Sequence, residues 1–369
     1  MSKGKDKIKV LFAGRYNFSE VLSGTGKTTK RIFAAYAKSN TAVFTSYFFD
    51  GRKYGLLKKL FGKEVSVQSE NASVYTLGLF RIFPVLFKTK PDIVHIITYE
   101  RFAVCFIFLK IFFGYKIIYH NHGLISLENK IKELPYFYRT KDKICEKLFL
   151  KYSDKIIFPS DVIIEVALNF HKFNKNKIRI IPNGIDAIYH FPDNTRVYNN
   201  NKLNVILETE KIGFEDSVLF ISDALELIKF PVRLNIIGKR KNIFKENDKL
   251  KIIYVDKMET HKFADFLMNI DVFISLIRYD TFSISAAEAM AAGVIPIINK
   301  NIGIAHYITN GVNGYKINYD DSASLAKYLD ILNCDSGKRR TMSCEAKKIY
   351  DELSWDKVYK KYEKLYFAE

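Results

Sequence analysis

The sequence predicts an α/β protein made of two doubly wound domains, each with a parallel sheet. In the first half, short apolar segments typical of strands alternate with helical segments, which indicates a parallel sheet covered by helices on both faces. A turn cluster at residues 182–186, with the sequence PNGID, ends this series, and a second alternating series follows. A length of 369 residues suits two domains of ordinary size. We therefore predict one domain at residues 1–185 and another at residues 186–353.

The first domain is predicted to contain six strands and at least three helices. The strands are expected at residues 8–13, 41–47, 93–97, 116–120, 155–158 and 178–181, and the helices at residues 27–38, 101–113 and 142–152. The longest apolar stretch, residues 102–119, is interrupted by two lysines and a glycine. A helix that spans a membrane needs about 20 mainly apolar residues, so we interpret this stretch as a buried helix followed by a strand.

The second domain is predicted to contain five strands of the same kind. They are expected near residues 203–207, 234–237, 252–255, 272–275 and 295–298. The chain then ends in a segment, residues 354–367, whose Trp355, Val358, Tyr362 and Tyr366 recur at helical spacing. We therefore expect a C-terminal helix with one aromatic face.

The composition argues for a folded protein in a reducing compartment. Hydrophobic residues make up 48% of the chain and aromatic residues 15%, which is ample for large cores. The four cysteines form no C-x-x-C pair and no dense framework, so we expect a reduced, cytosolic protein. The first apolar run, residues 8–13, is too short for a signal peptide and is interpreted as a strand.

The formal net charge of +18 implies an anionic partner. Basic residues alternate with Leu and Phe in residues 52–63 and 81–90, and such segments could lie on an anionic bilayer with their apolar side down. Alternatively, they form an ordinary solvated basic surface. The sequence contains no zinc finger, RNP signature or basic heptad array, so nucleic acid is the disfavoured partner.

Residues 280–297, with the sequence DTFSISAAEAMAAGVIPI, are the most informative part of the chain. They place one carboxylate at Asp280 and a second at Glu288, with seven residues between them, on a loop and a short helix that ends at Gly293. This layout resembles the signature of retaining glycosyltransferases of family 4, which have the GT-B fold. The resemblance implies two Rossmann-like domains that face each other across a cleft. It also implies that the C-terminal helix, about residues 354–369, packs back on the first domain.

The start of this short helix is expected to bind a diphosphate. A loop that leads into a helix offers unpaired N–H groups and the positive end of the helix dipole. The N–H groups expected to take part are those of Phe282, Ser283, Ile284 and Ser285. Asp280 is better placed to accept hydrogen bonds from sugar hydroxyls, and Glu288 from the two hydroxyls of a ribose. Alternatively, Ser285 and Glu288 form only a capping box that closes the first helical turn.

Residues 23–29, with the sequence SGTGKTT, superficially match a P-loop. We reject that interpretation because Val21 occupies the position of the first P-loop glycine, and because the preceding strand ends near Ala13. Glycines before a helix still let the backbone approach a ligand closely. The resemblance implies that Gly24, Thr25 and Gly26 belong to a loop that closes on the donor diphosphate. The alternative is an ordinary glycine turn that enters a helix.

Two histidines follow the fourth predicted strand of the first domain. His120 and His122 should point to the same side of the chain, so metal binding has to be considered. No third ligand is visible nearby and no D-x-D motif occurs, so we predict no metal site. The resemblance implies instead that His122 contacts the donor sugar and that His95 occupies another recurrent family position. A structural role is the alternative for both residues, and it is stronger for His95.

The resemblance extends over nearly the whole chain, with two departures. Asp280 stands where the family more often has Glu, which shortens the side chain and keeps its charge. The family also has an Arg and a Lys after the first strand of the second domain, whereas residues 205–213 read VILETEKIG. We expect Lys211 to replace the family Lys, and Lys239 or Arg240 to supply the second cation. If neither does, departure of the diphosphate loses a contact that contributes on the order of 3 kcal/mol.

The resemblance implies a hexosyltransferase-type enzyme that moves a sugar from a nucleotide diphosphate sugar to a hydroxyl group. The expected donor is a UDP-sugar rather than a GDP-sugar, the reaction retaining and metal-independent, and the acceptor a saccharide or lipid-linked saccharide. Capsule, O-antigen or other surface polysaccharide synthesis would place the protein in the cytoplasm, peripheral at the inner face of the cell membrane. The alternatives are a degenerate glycosyltransferase that serves as a membrane-associated scaffold or partner subunit, and a sugar-nucleotide epimerase of the same fold.

Overall fold

The chain folds into two compact units, each built around its own sheet. The structure is a computed structural model that describes residues 8–18, 24–48, 54–192, 202–209, 211, 213–238 and 242–367. Unit 1 comprises Met1–Pro182 with Val358–Glu369, and unit 2 comprises Asn183–Lys357. Both sheets consist mainly of parallel strands with helices between them, so the predicted α/β class is confirmed.

In the described part of unit 1, eight strands form the sheet. They are β1 (Val10–Ala13), β2 (Ala42–Tyr47), β3 (Lys63–Ser69), β4 (Ala72–Leu77), β5 (Ile93–Ile96), β6 (Lys116–His120), β7 (Lys155–Phe158) and β8 (Ile178–Ile180). Their order in the sheet is β3-β4-β2-β1-β5-β6-β7-β8, and neighbours are parallel except for β3 and β4. All six predicted strands of this half form, within two residues of their expected ends.

The antiparallel pair of β3 and β4 is absent from the sequence-based prediction. β3 lies at the edge of the sheet, and none of its residues is buried. Val65 and Val67 do alternate with polar residues, but both are exposed. An edge strand that is solvated on both faces needs little apolar character, so its sequence carries a weak strand signal.

In the described part of unit 2, six parallel strands form the sheet. They are β9 (Leu203–Glu208), β10 (Val232–Ile237), β11 (Leu250–Val255), β12 (Val272–Ser275), β13 (Ile295–Asn299) and β14 (Tyr315–Ile317). The order β11-β10-β9-β12-β13-β14 is that of a Rossmann-like sheet, and its direction reverses between β9 and β12. The five predicted strands all form, again within two residues of their expected ends.

Helices connect these strands and cover the sheets. In the described ranges they are α1 (Gly24–Ala37), α2 (Leu56–Phe61), α3 (Ile82–Thr89), α4 (Cys105–Phe113), α5 (Ile125–Ile131), α6 (Tyr136–Tyr152), α7 (Val162–Phe170), α8 (Glu215–Glu226), α9 (Thr260–Leu267), α10 (Ile284–Ala291), α11 (Ser322–Cys334), α12 (Ser336–Lys347), α13 (Ile349–Leu353) and α14 (Trp355–Phe367). Two of them begin earlier than predicted, because α1 includes the glycines at its start and α6 includes six further residues before residue 142.

Helix α4 corrects the expectation of a buried helix. Its inner face is buried through Phe106 and Leu109. Its outer face is not, because Phe108 is 56% exposed and Ile111 and Phe112 are each 82% exposed. A helix that is apolar all round is normally buried, and the sequence alone could not show that none of the described elements covers this side. In the part of the chain that the structure describes, no helix has both the length and the apolarity to cross a bilayer.

The helices of unit 1 lie on both faces of its sheet. The connection β1–α1–β2 and the connection β5–α4–β6 step in opposite directions along the sheet, so right-handed crossovers place α1 and α4 on opposite faces. Helix α14 packs on the α1 side, where the ring of Tyr366 lies 6.1 Å from that of Tyr36 and 6.4 Å from that of Phe12. The α4 side therefore has no cover from the C-terminal helix.

Candidate active site

The acidic residues predicted from the sequence lie at the point where the strand order of unit 2 reverses. β9 and β12 are neighbours, and β9 ends at Glu208. Asp280 lies on the loop that follows β12, and α10 begins at Ile284. In open α/β sheets, ligands bind beyond the carboxyl ends of the strands at such a reversal. The topology therefore places these carboxylates where a ligand is expected.

The loop between β12 and α10 is fixed by Asp280. Its Oδ1 atom accepts hydrogen bonds from the N–H groups of Phe282 (3.1 Å) and Ser283 (3.0 Å). Ser283 has a φ of 66°, a left-handed conformation that is uncommon outside glycine. Two of the four N–H groups expected to face a diphosphate thus donate to Asp280 in this structure. Those of Ile284 and Ser285 lie beyond this turn.

Lys211 lies between two carboxylates. Its Nζ atom is 3.2 Å from Oδ2 of Asp280 and 3.5 Å from Oε2 of Glu208. Burial disfavours the ammonium form, but the two carboxylates outweigh burial and raise the Lys211 pKa. One cation shared by two anions leaves a net negative charge, which would repel a diphosphate unless further cations join. The two candidates for that task, Lys239 and Arg240, lie outside the described residues.

The capping-box alternative for Ser285 and Glu288 is not what the structure shows. The residue before the helix is Ser283, and its side chain makes no capping hydrogen bond. Ser285 lies inside the first turn, and its hydroxyl donates to Oε2 of Glu208 at 2.6 Å. Ser285 therefore connects the helix start to the end of β9 rather than capping its own helix.

Glu288 lies on α10 and is only 3% exposed. It interacts with the hydroxyl of Tyr189, which is itself fully buried. Burial and the Glu288 carboxylate both raise the Tyr189 pKa, so this phenol stays protonated and can donate its hydrogen bond. Sequence analysis missed Tyr189. The nearest signal was the turn cluster that ends at Asp186, three residues earlier, which was interpreted only as a domain boundary.

In unit 1, the predicted sugar-binding histidine is part of a stack of three imidazoles. The rings of His120 and His122 lie 3.8 Å apart and those of His95 and His120 lie 5.9 Å apart, all nearly parallel. Nδ1 of His95 is 2.7 Å from the hydroxyl of Tyr366 on α14. His95 is thus part of the core between the sheet and α14, as the structural alternative for this residue proposed.

The stack is poorly suited to chelate a metal ion. The lone pairs of an imidazole lie in the ring plane, so two stacked rings direct them along parallel planes rather than toward one point. Over the described residues, no three His, Cys, Asp or Glu side chains are grouped so that they could hold a metal ion.

The glycine segment forms the first turn of α1. Gly24, Thr25 and Gly26 are helical. The hydroxyls of Thr28 and Thr29 donate to the carbonyl oxygens of Gly24 (3.1 Å) and Thr25 (2.8 Å). Residues 19–23, which would complete the expected loop, lie outside the described residues. In this structure the three residues therefore offer a helix N-terminus rather than a free loop.

We expect the chain to lose stability as the pH falls from about 6.5 to about 4. Burial lowers the pKa of His95 to about 3 and that of His122 to about 4, whereas a histidine in the unfolded chain titrates near 6.5. Below that pH the unfolded chain binds protons that the folded chain excludes. Each of the two histidines therefore lowers the free energy of unfolding by about 1.4 kcal/mol per pH unit. Thermal unfolding across this range should show the decline.

Two substitutions separate this effect from general acid sensitivity. His95→Gln should make the melting temperature less dependent on pH, because one buried titrating ring is lost. His261→Gln serves as the control, since it replaces a histidine whose side chain is 58% exposed. A melting temperature that stays constant from pH 7 to pH 4 would contradict neutral, buried imidazoles.

Comparison with known proteins supplies the family. The family model described as Glycosyltransferase Family 4 matches residues 61–188, and the model described as Glycosyl transferases group 1 matches residues 196–349. An uncharacterized 41.2 kDa protein in the cps region of Klebsiella pneumoniae is 24% identical over 272 residues. That alignment covers 69% of this chain and 74% of the Klebsiella protein.

Solved structures agree on the fold. The sucrose-phosphate synthase of Thermosynechococcus elongatus superposes with a TM-score of 0.75 at 14% identity, over 98% of both chains. The Anabaena protein HepE, solved in complex with UDP, superposes with a TM-score of 0.72 at 16% identity, over 97% of this chain and 99% of HepE. At these identities the likeness concerns the fold alone. Together with the two family models, it shows that the chain is a glycosyltransferase of family 4 with the GT-B fold.

Proposed function

We propose that the chain transfers a sugar from a nucleotide diphosphate sugar to a hydroxyl of a lipid-linked saccharide, in capsule, O-antigen or other surface polysaccharide synthesis. The family supports sugar transfer. The relative encoded in the cps region of Klebsiella pneumoniae supports a role in surface polysaccharides. Retention of the anomeric configuration is the outcome expected for this family.

The observation that carries the proposal is the cluster of Glu208, Lys211, Asp280 and Ser285 at the start of α10, with Glu288 one turn further along. A nucleotide-sugar site needs a cation and a helix N-terminus for the diphosphate and acids for the hydroxyls. This cluster contains all three. We assign unit 2 to the nucleotide and unit 1 to the acceptor.

Each group in the site has a proposed task. Glu288 accepts hydrogen bonds from the ribose hydroxyls, and Asp280 and His122 orient the donor sugar. Lys211 stabilises the departing diphosphate, together with N–H groups at the start of α10 and with the proposed cations Lys239 and Arg240. The first turn of α1, at Gly24, Thr25 and Gly26, supplies further N–H groups. Because cations and a helix dipole can neutralise the diphosphate, we propose that the reaction needs no metal ion.

The donor is proposed to be a UDP-sugar, in preference to a GDP-sugar. The structure of HepE was solved with UDP and also with UDP-glucose, the latter superposing with a TM-score of 0.69. We further propose that the enzyme works in the cytoplasm, at the inner face of the cell membrane. The net charge of +18 supports this location, because the cytoplasmic leaflet is anionic.

One observation favours the alternative of a degenerate glycosyltransferase that acts as a membrane-associated scaffold. Lys211 is already neutralised by Asp280 and Glu208, and no arginine follows β9 where the family has one. A scaffold need not bind a donor at all. Donor binding is therefore the property that separates the two functions.

Titration calorimetry with UDP-sugars and GDP-sugars tests this choice. We expect a UDP-sugar to bind and to raise the melting temperature, since a ligand at about 100 times its Kd stabilises the folded state by about 2.7 kcal/mol. The absence of binding by every nucleotide sugar would favour the scaffold. Product analysis without an acceptor checks the epimerase alternative, because an epimerase would convert the donor sugar under those conditions.

A further inference from the structure

Exposed apolar side chains are concentrated in unit 1. Of the large apolar side chains that are exposed among the described residues, twenty lie in unit 1 and four in unit 2. The two units are of similar size and share one fold class, so this difference does not follow from the fold. Contiguous exposed apolar surface marks a site of interaction with a protein or a membrane.

The exposed apolar residues of α3 and α4 lie on a shared surface. On α4 they are Phe108, Ile111 and Phe112, which recur at helical spacing and are 56%, 82% and 82% exposed. On α3 they are Phe83 and Phe87, four residues apart, which are 40% and 65% exposed. The two helices are neighbours, because the ring of Phe87 lies 5.0 Å from that of Phe113.

Helix α2 extends this surface. The ring of Phe80, just before α3, stacks on the ring of Phe61 with 5.1 Å between centroids. Nε of Arg81 donates to the carbonyl oxygen of Phe61 at 3.0 Å. Leu56 and Leu57 on α2 are 72% and 76% exposed. We call the exposed side of α2, α3 and α4 the apolar face.

The apolar face is bordered by positive charge. The sequence contains no carboxylate between Glu70 and Asp92, and none between Glu100 and Glu128, so α3 and α4 contain no acidic residue. The same two stretches contain basic residues, which are Arg81, Lys88, Lys90, Arg101, Lys110 and Lys116. Three charges near the face are balanced, since Lys110 pairs with Asp154, Arg101 with Asp142, and Lys58 with Glu64. The surface is therefore apolar with a cationic border.

We propose that the apolar face docks unit 1 on an anionic lipid bilayer. Aromatic and aliphatic side chains on one side of a helix enter the boundary between headgroups and acyl chains, and neighbouring cations bind anionic headgroups. The proposal rests on the proposed function in one respect, because a lipid-linked acceptor explains why the enzyme needs a membrane. A second copy of the chain is a poorer occupant, since its own cations would face these cations.

The docking surface lies on the side of the sheet opposite α1 and α14. Docking there would therefore cover neither the imidazole stack nor its contact with Tyr366, because both lie on the other side. Docking in this way would also keep the sheet of unit 1 roughly parallel to the membrane, because α3 and α4 form a layer over one face of that sheet.

Sedimentation with vesicles tests the proposal on the full chain. Wild-type protein should bind vesicles of phosphatidylglycerol and phosphatidylcholine and bind pure phosphatidylcholine vesicles much less. The double variant Ile111→Ser/Phe112→Ser should partition about tenfold more weakly into the anionic vesicles. Its matched control is Leu219→Ser/Leu227→Ser in unit 2, where both residues are exposed to a similar degree, and this control should bind like wild type.

A charge variant tests the cationic border. Lys88→Glu should weaken binding to anionic vesicles by about tenfold, because it replaces an attractive charge by a repulsive one. Lys338→Glu, an exposed lysine of unit 2, changes the net charge equally and should have little effect. Equal losses in both variants would show that only the total charge matters and would overturn the docking face.

Two further outcomes would also overturn the proposal. One is wild-type protein that stays in the supernatant with anionic vesicles. The other is a dimer on gel filtration that Ile111→Ser/Phe112→Ser converts to a monomer, which would assign the face to a second copy of the chain. Calorimetry with UDP and GDP keeps this test separate from the proposed function. If the protein binds vesicles but neither UDP nor GDP, the proposed enzyme is refuted and the docking face stands. If it binds a nucleotide but no vesicles, the docking face is refuted and the proposed enzyme stands.

Discussion

Replacing Glu288 with Gln is expected to lower kcat/KM by about 1,000-fold or more, because the site would lose a partner for buried hydroxyl groups. A carboxylate can accept hydrogen bonds from Tyr189 and from both hydroxyls of a ribose, whereas an amide has one acceptor oxygen and must donate elsewhere. Glu288 is nearly fully buried, so water cannot replace a lost partner. Initial rates with a UDP-sugar donor would measure the loss.

The controls for Glu288→Gln separate chemistry from folding. An unchanged thermal melting profile would show that the chain still folds, and Glu226→Gln, an exposed position at the end of α8, should transfer sugar like wild type. Tyr189→Phe should cause a smaller loss, because it removes one donor and leaves the carboxylate free for the ribose. Full turnover by Glu288→Gln would count heavily against the proposed donor site.

Replacing Lys211 with Met is expected to weaken donor binding and turnover by about 100-fold, which corresponds to about 3 kcal/mol for one lost charged contact. The substitution removes the only described cation between Glu208 and Asp280, and the diphosphate would then meet two carboxylates. Glu208→Gln should act in the opposite direction and tighten donor binding, because it removes one negative charge and frees Lys211 for the phosphates. Calorimetry with UDP and the UDP-sugar would measure both changes.

The informative result is that Lys211→Met should weaken donor binding whereas Glu208→Gln should tighten it. Lys338→Met, at an exposed position of unit 2, removes a lysine without touching the site and should leave donor binding unchanged. If Lys211→Met binds UDP as tightly as wild type, Lys211 is not the cation that holds the diphosphate. Lys239 or Arg240 would then be the cation that holds the diphosphate, and replacing that residue with Met should weaken UDP binding.

Most of the sheet framework could be predicted because buried parallel strands have a strong sequence signal. Runs of Val, Ile, Leu and Phe bounded by turn residues marked β1, β5 and β6 in one unit and β9 and β12 in the other. Three strands were missed. β3 is a solvated edge strand, and β4 beside it buries only three of its six residues. β14 is a short strand of three residues at an edge of the second sheet.

The candidate site was only partly predictable. The position of Asp280 and Glu288 on a loop and the helix that follows it could be read from their spacing in the chain. Their partners could not, because they come from distant parts of the sequence. Glu208 reaches Ser285 across 77 residues, and Tyr189 reaches Glu288 from a turn before the second sheet begins. Such contacts depend on how strands are ordered, which local patterns do not encode.

The sequence by itself determined the fold class, the family and the location of the acidic motif, because each depends on residue types at short spacing along the chain. Only the tertiary structure decided which charges meet and which side of a helix is covered. Lys211 is held between two carboxylates because β9 and β12 are neighbours. The aromatic side of α4 is exposed because no element among the described residues packs over it, although all but one of the residues of this helix are apolar. Both outcomes depend on the arrangement of distant segments, and that arrangement is decided when the sheets assemble.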